Sequence, residues 1–275
     1  GTGTVTFSET PAPAGRPSSP TEGLMRENTI TGKMEFYDGS LWQEINDTVS
    51  SYSPSVIPSA NFNTALYTGN GGADSVAVGF QSELTWIKAR DTTGKWNVWY
   101  DIIRGATNMI SSNSTSAAQA YGSVTPTSTG FDIGSASAGD INTNGEKYVS
   151  WNWKAGGAAT TISGVGTVNS DVSANTAAGF SIVSFTNGAS GTSTVAHGLG
   201  KIPEIIIMKQ TNGTTNWVVY NANGGAGRTL VLNENFAYSA NSPASQWGSV
   251  PTSTVFTVTN NSSLTNGSSP HIAYC

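Results

Sequence analysis

The apolar residues of this chain recur in short runs in which apolar and polar positions alternate. These runs cover residues 64–68, 84–90, 96–103, 107–111 and 147–153 in the first half, and 180–186, 204–210, 216–221, 229–233, 254–259 and 271–275 in the second. Gly, Asn, Asp and Thr separate most of the runs, as expected of turns. A period of two is typical of strands with one buried face. The pattern therefore predicts an all-β protein.

Two long stretches of the chain repeat one another. Residues 79–88 align with 200–209, matching at Gly, Glu and Lys with apolar residues between them. At the same spacing Trp96 falls on Trp217. Each copy contains enough alternating runs to form two packed sheets, which is how an antiparallel sandwich buries its core. We therefore expect two tandem antiparallel β-sandwich domains, jelly-roll-like in type.

The same pattern divides the chain into five segments. We predict an extended Pro-rich stalk at 1–23, a small β-meander at 24–58, a first sandwich at 59–155, a linker at 156–177 and a second sandwich at 178–275. Four of the 11 prolines lie close together in the stalk, which favours an extended, polyproline-like conformation. The linker segment contains few large apolar residues, so it is either a connection or partly an edge strand.

The β-meander contains a strong turn sequence, Asp38-Gly39, flanked by alternating apolar residues. Three short strands bury too little surface to be stable alone. The meander therefore either docks on the first sandwich or pairs with copies from other chains. We predict an oligomerisation role for Met34, Phe36 and Trp42, with a homotrimer favoured.

Composition excludes several classes of protein. The 275 residues carry a net charge of -5, only 11% of them are charged, and 32 are Gly, which does not fit a coiled coil or long-helix bundle. Lys and Arg are scattered singly, so nucleic-acid binding is not expected. No stretch approaches the roughly 18 to 20 apolar residues that span a bilayer, so membrane insertion is not expected either. Cys275 is the single cysteine, so it can form neither an intrachain disulfide nor a thiolate zinc site.

Candidate catalytic residues are few, and we predict that the chain is not an enzyme and holds no cofactor. Cleavage of a glycan requires two carboxylates about 5 to 10 Å apart. Glu83 and Glu204 occupy equivalent repeat positions, which favours a structural role over catalysis. His197 lacks the partners of a general base or metal ligand, so we expect a turn histidine bonded to the backbone.

The sequence from Asp140 to Gly145 begins like a calcium-binding loop, with oxygen side chains at alternate positions. The twelfth position of such a loop requires Glu, and Trp151 occupies it here. We therefore predict a hairpin turn and no metal site.

Aromatic residues supply the remaining candidates for ligand contact. Trp96 and Trp217 are expected in the core because the repeat keeps both. Trp99, three residues further along a strand, would then face the opposite side and become exposed. Trp99 and Trp153 are therefore candidate surfaces on which a host glycan stacks, although half-buried packing is the commoner role of such side chains.

Several motifs resemble those of bacteriophage proteins. The stretch Arg-Pro-Ser-Ser-Pro-Thr-Glu-Gly at 16–23 precedes Asn-Thr-Ile-Thr-Gly-Lys-Met-Glu-Phe-Tyr-Asp-Gly-Ser-Leu-Trp at 28–42. The repeats contain Arg-Gly-Ala-Thr at 104–107, Tyr-Val-Ser-Trp-Asn-Trp-Lys-Ala-Gly-Gly at 148–157 and His-Gly-Leu-Gly-Lys-Ile-Pro at 197–203. The first pair resembles a short module of tail-fibre and other virion proteins, and the repeats resemble a domain of such proteins from marine and cyanobacterial phages.

The resemblance implies a structural protein of the virion, made in the cytoplasm of a bacterial host and assembled with other virion proteins. Our leading hypothesis is a fibre-like protein whose sandwiches project for host-surface adhesion or serve virion assembly. A glycan-binding module is the first alternative, and a glycan hydrolase or depolymerase is a less favoured one. A scaffold that packs against neighbouring virion subunits and never touches the host is a further alternative.

Overall fold

The computed structural model describes residues 16–45, 56–134, 140–235, 246–260 and 267–275. The regular structure is almost entirely antiparallel β-sheet, with two single-turn 3-10 helices at 58–60 and 222–224. The predicted all-β class is confirmed. The chain forms two compact units, which divide between residues 55 and 56.

The N-terminal unit contains a three-stranded meander of β1 (Met25–Asn28), β2 (Lys33–Tyr37) and β3 (Trp42–Glu44), paired in that order. Asp38 and Gly39 form the turn between β2 and β3, as predicted. The Asp38 carboxylate accepts hydrogen bonds from the backbone amides of Ser40 and Leu41. Gly39 has a positive φ of 95°. An aspartate followed by glycine suits this turn because its side chain satisfies backbone donors.

The first repeat contains nine strands. They are β4 (Phe62–Thr68), β5 (Asp74–Ala77), β6 (Leu84–Ala89), β7 (Val98–Asp101), β8 (Asn108–Ser111), β9 (Gln119–Ala120), β10 (Val124–Thr127), β11 (Gly130–Ile133) and β12 (Lys147–Trp153). A six-stranded sheet has the order β4-β12-β6-β7-β8-β9, and a three-stranded sheet has the order β10-β11-β5. Alternate residues of the two sheets meet in one core that includes Ile87, Tyr100 and Phe131. This arrangement is the predicted sandwich.

The segment predicted as a linker at 156–177 is largely β-structure. It contains β13 (Thr160–Ile162) and β14 (Ser170–Asn175), which extend the large sheet of the second repeat at one edge. Val172 of β14 packs into that repeat's core. The edge-strand interpretation is therefore the one the structure supports. Periodicity gave little indication of it because small and polar residues dominate both strands.

The second repeat contains eight strands. They are β15 (Phe180–Thr186), β16 (Thr192–Ala196), β17 (Ile205–Gln210), β18 (Val218–Asn221), β19 (Leu230–Val231), β20 (Trp247–Ser249), β21 (Val255–Thr259) and β22 (Pro270–Tyr274). With β13 and β14 they form a seven-stranded sheet, β13-β14-β15-β22-β17-β18-β19, and a three-stranded sheet, β16-β21-β20. The strand order from β15 to β19 matches that from β4 to β8 in the first repeat. The predicted repeat is therefore also a repeat of topology.

The sequence alignment that places Trp96 on Trp217 differs by one residue from the alignment given by strand pairing. Thr85 pairs with Tyr100 in the first repeat, and Ile206 pairs with Tyr220 in the second, so the two tyrosines are the equivalent residues. Trp96 packs against the core of the first sandwich, whereas Trp217 lies on the opposite side of its sheet. A slip of one residue exchanges the faces of a strand. The expected equivalence of Trp96 and Trp217 is therefore wrong, although both side chains are at least partly buried.

The two repeats share a third core, which we call the seam. Here the outer face of the six-stranded sheet packs on the outer face of the seven-stranded sheet. The buried members are Leu84, Trp99, Ile110, Ala155, Ile182, Trp217, Ile272 and Tyr274. The sandwiches are consequently two halves of one compact unit, with four sheets in successive layers.

Candidate functional site

Polar contacts cross the seam between the two repeats. The hydroxyl of Tyr274 donates a hydrogen bond of 2.8 Å to Asp101 Oδ2, and the same carboxylate oxygen lies 2.6 Å from Arg104 Nε. The Arg104 guanidinium also donates to the carbonyl oxygens of Trp99 and Asn108. Every charged group is thus partnered, as a buried ion pair requires. Burial raises the pKa of the Tyr274 hydroxyl well above its usual value.

A cleft of about 500 Å³ opens where the seam reaches the surface. Three strand ends surround it: Trp153 ends β12, Phe180 begins β15, and Ile205 begins β17. The Trp153 and Phe180 rings stack with centroids 6.2 Å apart and planes inclined by 30°. The volume of the cleft falls within the range of small-molecule and cofactor sites, roughly 300 to 1,000 Å³.

The floor and rim of the cleft differ in character. Leu84, Trp99 and Tyr274 line the floor and belong to the seam core. Lys201 and Glu204 are the charged residues among the lining residues, and both are exposed on the loop before β17. The cleft is therefore an apolar cavity with one cation and one anion near its mouth.

The two tryptophans predicted as ligand contacts both line this cleft, but in different ways. Trp99 is only 3% exposed, so its predicted exposure is wrong. The second repeat covers the face of β7 that carries Trp99. The ring centroids of Trp217 and Tyr274 lie 5.3 and 5.0 Å from the centroid of the Trp99 ring. Sequence alternation predicted correctly which face of β7 carries Trp99, but it did not predict that the second repeat packs on that face. Trp153 is half-buried and forms part of the wall, where a ligand can contact it.

Within residues 16–45, one face of the N-terminal sheet carries exposed apolar side chains. Strand alternation and cross-strand pairing bring Met25, Met34, Phe36 and Ile45 to one side, and all four are between 36% and 56% exposed. We call this set the apolar face. The residues buried within 16–45 are Asn28, Glu35 and Gln43. This unit therefore exposes its large apolar side chains and buries polar ones.

Trp42, predicted with Met34 and Phe36 as an oligomerisation residue, lies on the opposite face of the N-terminal sheet. Its ring is 5.8 Å from the guanidinium carbons of both Arg16 and Arg26. The same arginines form ion pairs with the buried Glu35 at 2.7 and 3.3 Å. The hydrogen bond from Arg16 lowers the pKa of Glu35. Trp42 thus stabilises the charged face, and Met34 and Phe36 remain the predicted contact residues.

Residues that the two repeats keep in common hold the backbone. Lys209 is fully buried, and its ammonium donates to the carbonyl oxygens of Gln210 and Gly213 and to the Thr215 hydroxyl. Burial lowers the pKa of Lys209 to about 8. The equivalent Lys88 donates to the Lys95 carbonyl at 2.8 Å. Both lysines therefore close the loop after their strand.

The aligned glutamates have different surroundings. Glu83 is buried, and its carboxylate accepts a hydrogen bond from the amide of Ala155, while Glu204 is exposed at the cleft mouth. Burial raises the pKa of Glu83. The backbone carbonyl oxygens of Glu83 and Glu204 accept the amides of Ile102 and Ala222, the residues that directly follow β7 and β18. Glu83 and Glu204 are therefore equivalent in their backbone hydrogen bonds but not in the surroundings of their side chains.

The other candidates for chemistry are also bound to backbone. His197 is buried, with Nε2 at 3.1 Å from the Thr252 carbonyl oxygen and Nδ1 accepting the Leu199 amide at 3.3 Å, as expected of a turn histidine. Asp140 accepts hydrogen bonds from the Trp96 amide and the Tyr121 hydroxyl. Within the described ranges, no three His, Cys, Asp or Glu side chains are grouped as a metal site would require.

A family model described as a domain of unknown function, DUF7483, matches residues 57–275. The chain belongs to this family. No curated protein and no solved structure matches the chain. The DUF7483 match includes both repeats and the hairpin between them, and it begins one residue after the start of the second compact unit. The described part of the chain contains no helix of the length and apolarity needed to cross a membrane.

The sequence reasoning missed the Asp101–Arg104 pair and the cleft residues Phe180 and Ile205. The i, i+3 spacing of Asp101 and Arg104 was visible, but it does not indicate a contact with Tyr274 far along the chain. Phe180 and Ile205 occupy the first positions of alternating strands. Their role depends on which sheet faces meet, and strand periodicity does not carry that information.

Proposed function

We propose that this DUF7483 chain is a non-enzymatic structural protein of a virus particle, of the fibre-like type that its sequence resembles. In this proposal the N-terminal sheet assembles copies of the chain, and the two fused sandwiches form a rigid body for host-surface adhesion or virion assembly. The observation that carries the proposal is the set of exposed apolar side chains on one face of the N-terminal sheet.

Self-association through this face follows from the distribution of charge. Arg16, Arg26 and Glu35 form their ion pairs on the opposite face. On the apolar face Glu27 pairs with Met34, and the Asp38 carboxylate is already bonded to Gln43, which pairs with Phe36. A charged partner would find little to complement there, whereas two or three copies can meet without burying unpaired charge. Homotrimers are favoured, because three small sheets around one axis can enclose an apolar centre.

The tandem-repeat unit supports a role in display. Its shared core makes the repeats one body, so contacts made by either repeat act together. Assembly multiplies weak contacts into high avidity when several copies engage one surface. The residues kept by both repeats serve packing and loop closure, as Lys88 and Lys209 illustrate. This pattern favours a structural role over catalysis.

Assembly is tested by the mass of the full chain in solution, measured by light scattering and sedimentation. We expect an oligomer, with a trimer favoured, and a lower mass for Phe36→Glu because that substitution adds charge to the apolar face. Thr31→Glu, at an exposed turn position of the same unit, is the control and should retain the oligomer. A wild-type monomer with residues 1–50 intact would overturn assembly through this face.

Virion localisation needs a separate experiment. Particles purified by density gradient from a producing culture should contain the chain in a fixed ratio to the capsid protein. An antibody against residues 56–275 should label those particles at a regular position in electron micrographs. Absence of the chain from intact particles would overturn the virion role, whatever its oligomeric state.

A glycan-binding module is the second candidate, because half-buried Trp153 stands in the wall of the cleft. Binding on an array of neutral and acidic saccharides, lost in Trp153→Ala and kept in Trp151→Ala, would support it. Trp151 is the matched control because it is also half-buried on β12 but does not line the cleft.

A further inference from the structure

The cleft at the end of the seam has a predominantly apolar lining. Aliphatic side chains at its mouth, Ile202 and Ile205, are 61% and 51% exposed, although both are large and branched. An exposed apolar group beside an apolar cavity loses unfavourable contact with water when a ligand covers it. The mouth is therefore a surface on which an apolar ligand is stabilised.

The polar groups of the cleft are too few for most polar ligands. Lys201 and Glu204 supply one charge of each sign, so the mouth has no excess charge to attract an anion or a cation. A saccharide buried in the cleft would bring several hydroxyl groups, and each one left without a partner would cost free energy. The lining consequently favours a ligand that is mainly apolar.

The apolar surface continues beyond the cleft along the first repeat. Phe62 of β4 contacts Trp153 with ring centroids 4.9 Å apart, and cross-strand pairing puts both side chains on one face of the sheet. Leu66 and Val149 pair on the same face further along, and Leu66 is exposed. A ligand that follows this face must be extended.

The seam itself indicates the chemistry of the ligand. The floor residues Leu84, Trp99 and Tyr274 already pack against strand side chains from the other repeat. At the cleft the packing between the two repeats ends, but apolar side chains continue beyond it. Continuation of the same packing requires further side chains of the same kind, carried on an extended backbone.

We infer that the cleft between the repeats binds an extended, apolar segment of another polypeptide. One large side chain of the segment enters the cleft between Trp153 and Ile205, and others lie over Phe62 and Leu66. The partner is a protein with an exposed strand or tail of alternating apolar residues. This inference does not depend on assembly through the N-terminal sheet, because each copy of the chain contains a complete cleft.

A library of random peptides displayed on a carrier and selected against the full chain tests the inference. We expect the selected peptides to be rich in aliphatic and aromatic residues. Synthetic versions should bind Ile202→Asp at least about tenfold more weakly than wild type, because the aspartate brings a charge to the mouth of the cleft. Titration of a labelled peptide by fluorescence polarisation measures the affinities.

Val250→Asp is the matched control, because Val250 is 57% exposed and does not line the cleft. It should bind the peptides as wild type does, and thermal unfolding should verify that both variants are folded. Peptides that bind Ile202→Asp and wild type equally would overturn the inference. Failure to select any peptide, or a neutral saccharide whose binding is abolished by Trp153→Ala, would also overturn it.

Discussion

The hydroxyl of Tyr274, in the last strand of the second repeat, donates a hydrogen bond of 2.8 Å to the Asp101 carboxylate of the first. This bond is buried in the seam and involves a charged acceptor. We expect Tyr274→Phe to lower the free energy of unfolding of the 56–275 unit by about 1.5 to 3 kcal/mol, the range for such bonds. Urea unfolding followed by tryptophan fluorescence measures the change.

Asp101→Asn is the second variant needed to test this contact by a double-mutant cycle. It should be more destabilising than Tyr274→Phe, by roughly 3 to 5 kcal/mol, because Arg104 is left buried without its carboxylate partner. The double variant should lose less stability than the sum of the two single-variant losses, because both substitutions remove the same hydrogen bond. Strict additivity would contradict a direct contact between Tyr274 and Asp101.

Lys209 is predicted to contribute more to stability than its repeat equivalent, Lys88. Lys209→Met removes the donor to two buried acceptors, the Gln210 carbonyl oxygen and the Thr215 hydroxyl, and to the partly buried Gly213 carbonyl oxygen. We expect a loss of about 2 to 3 kcal/mol, because unsatisfied buried acceptors keep their desolvation cost. Differential scanning calorimetry of the full chain measures it.

Lys88→Met is the matched variant for Lys209→Met. Lys88 is half-buried, so water can replace part of the bond to the Lys95 carbonyl, and the expected loss is below about 1 kcal/mol. Equal losses in the two variants would show that the burial of Lys209 adds nothing to its role in closing the loop.

The sequence was sufficient to predict the repeat and most strands of the two larger sheets, but not the three-stranded sheet β10-β11-β5 of the first repeat. Alternation identified nearly all the long strands, and Asp38-Gly39 identified a hairpin that the structure contains. These features depend on neighbouring residues and on local turn chemistry. The backbone role of His197 was also predictable, because its sequence offered no catalytic partner and a turn requires its donors to be satisfied.

The seam could not be predicted from the same reasoning. Trp99 faces the side of β7 opposite to the first sandwich core, as alternation requires, but the second repeat covers that side. A pattern of period two distinguishes the faces of a strand and does not show whether a face meets water or another sheet. Trp217 was assigned to the wrong core for a related reason, since aligned sequences do not reveal a one-residue shift between paired strands.

Protonation of His271 is predicted to destabilise the fold at low pH. Its ring is buried and stacked on Phe185, with Nδ1 at 2.9 Å from the Ser269 carbonyl oxygen. Burial lowers its pKa to about 4, and the positive charge of nearby Lys209 acts in the same direction. The unfolded chain binds this proton near pH 6.5, so between pH 6.5 and 4 the unfolded state holds more protons than the folded state.

Stability should therefore fall as the pH is lowered from 7 to 4, with about 3 kcal/mol of the loss due to His271. His271→Phe keeps a ring against Phe185 but cannot bind a proton, so its free energy of unfolding should decline less over this range. His197, whose pKa burial also lowers, accounts for part of the remaining slope. Urea unfolding at several pH values measures both curves. If wild type and His271→Phe lose the same stability between pH 7 and 4, the buried imidazole is not the group that responds to acid.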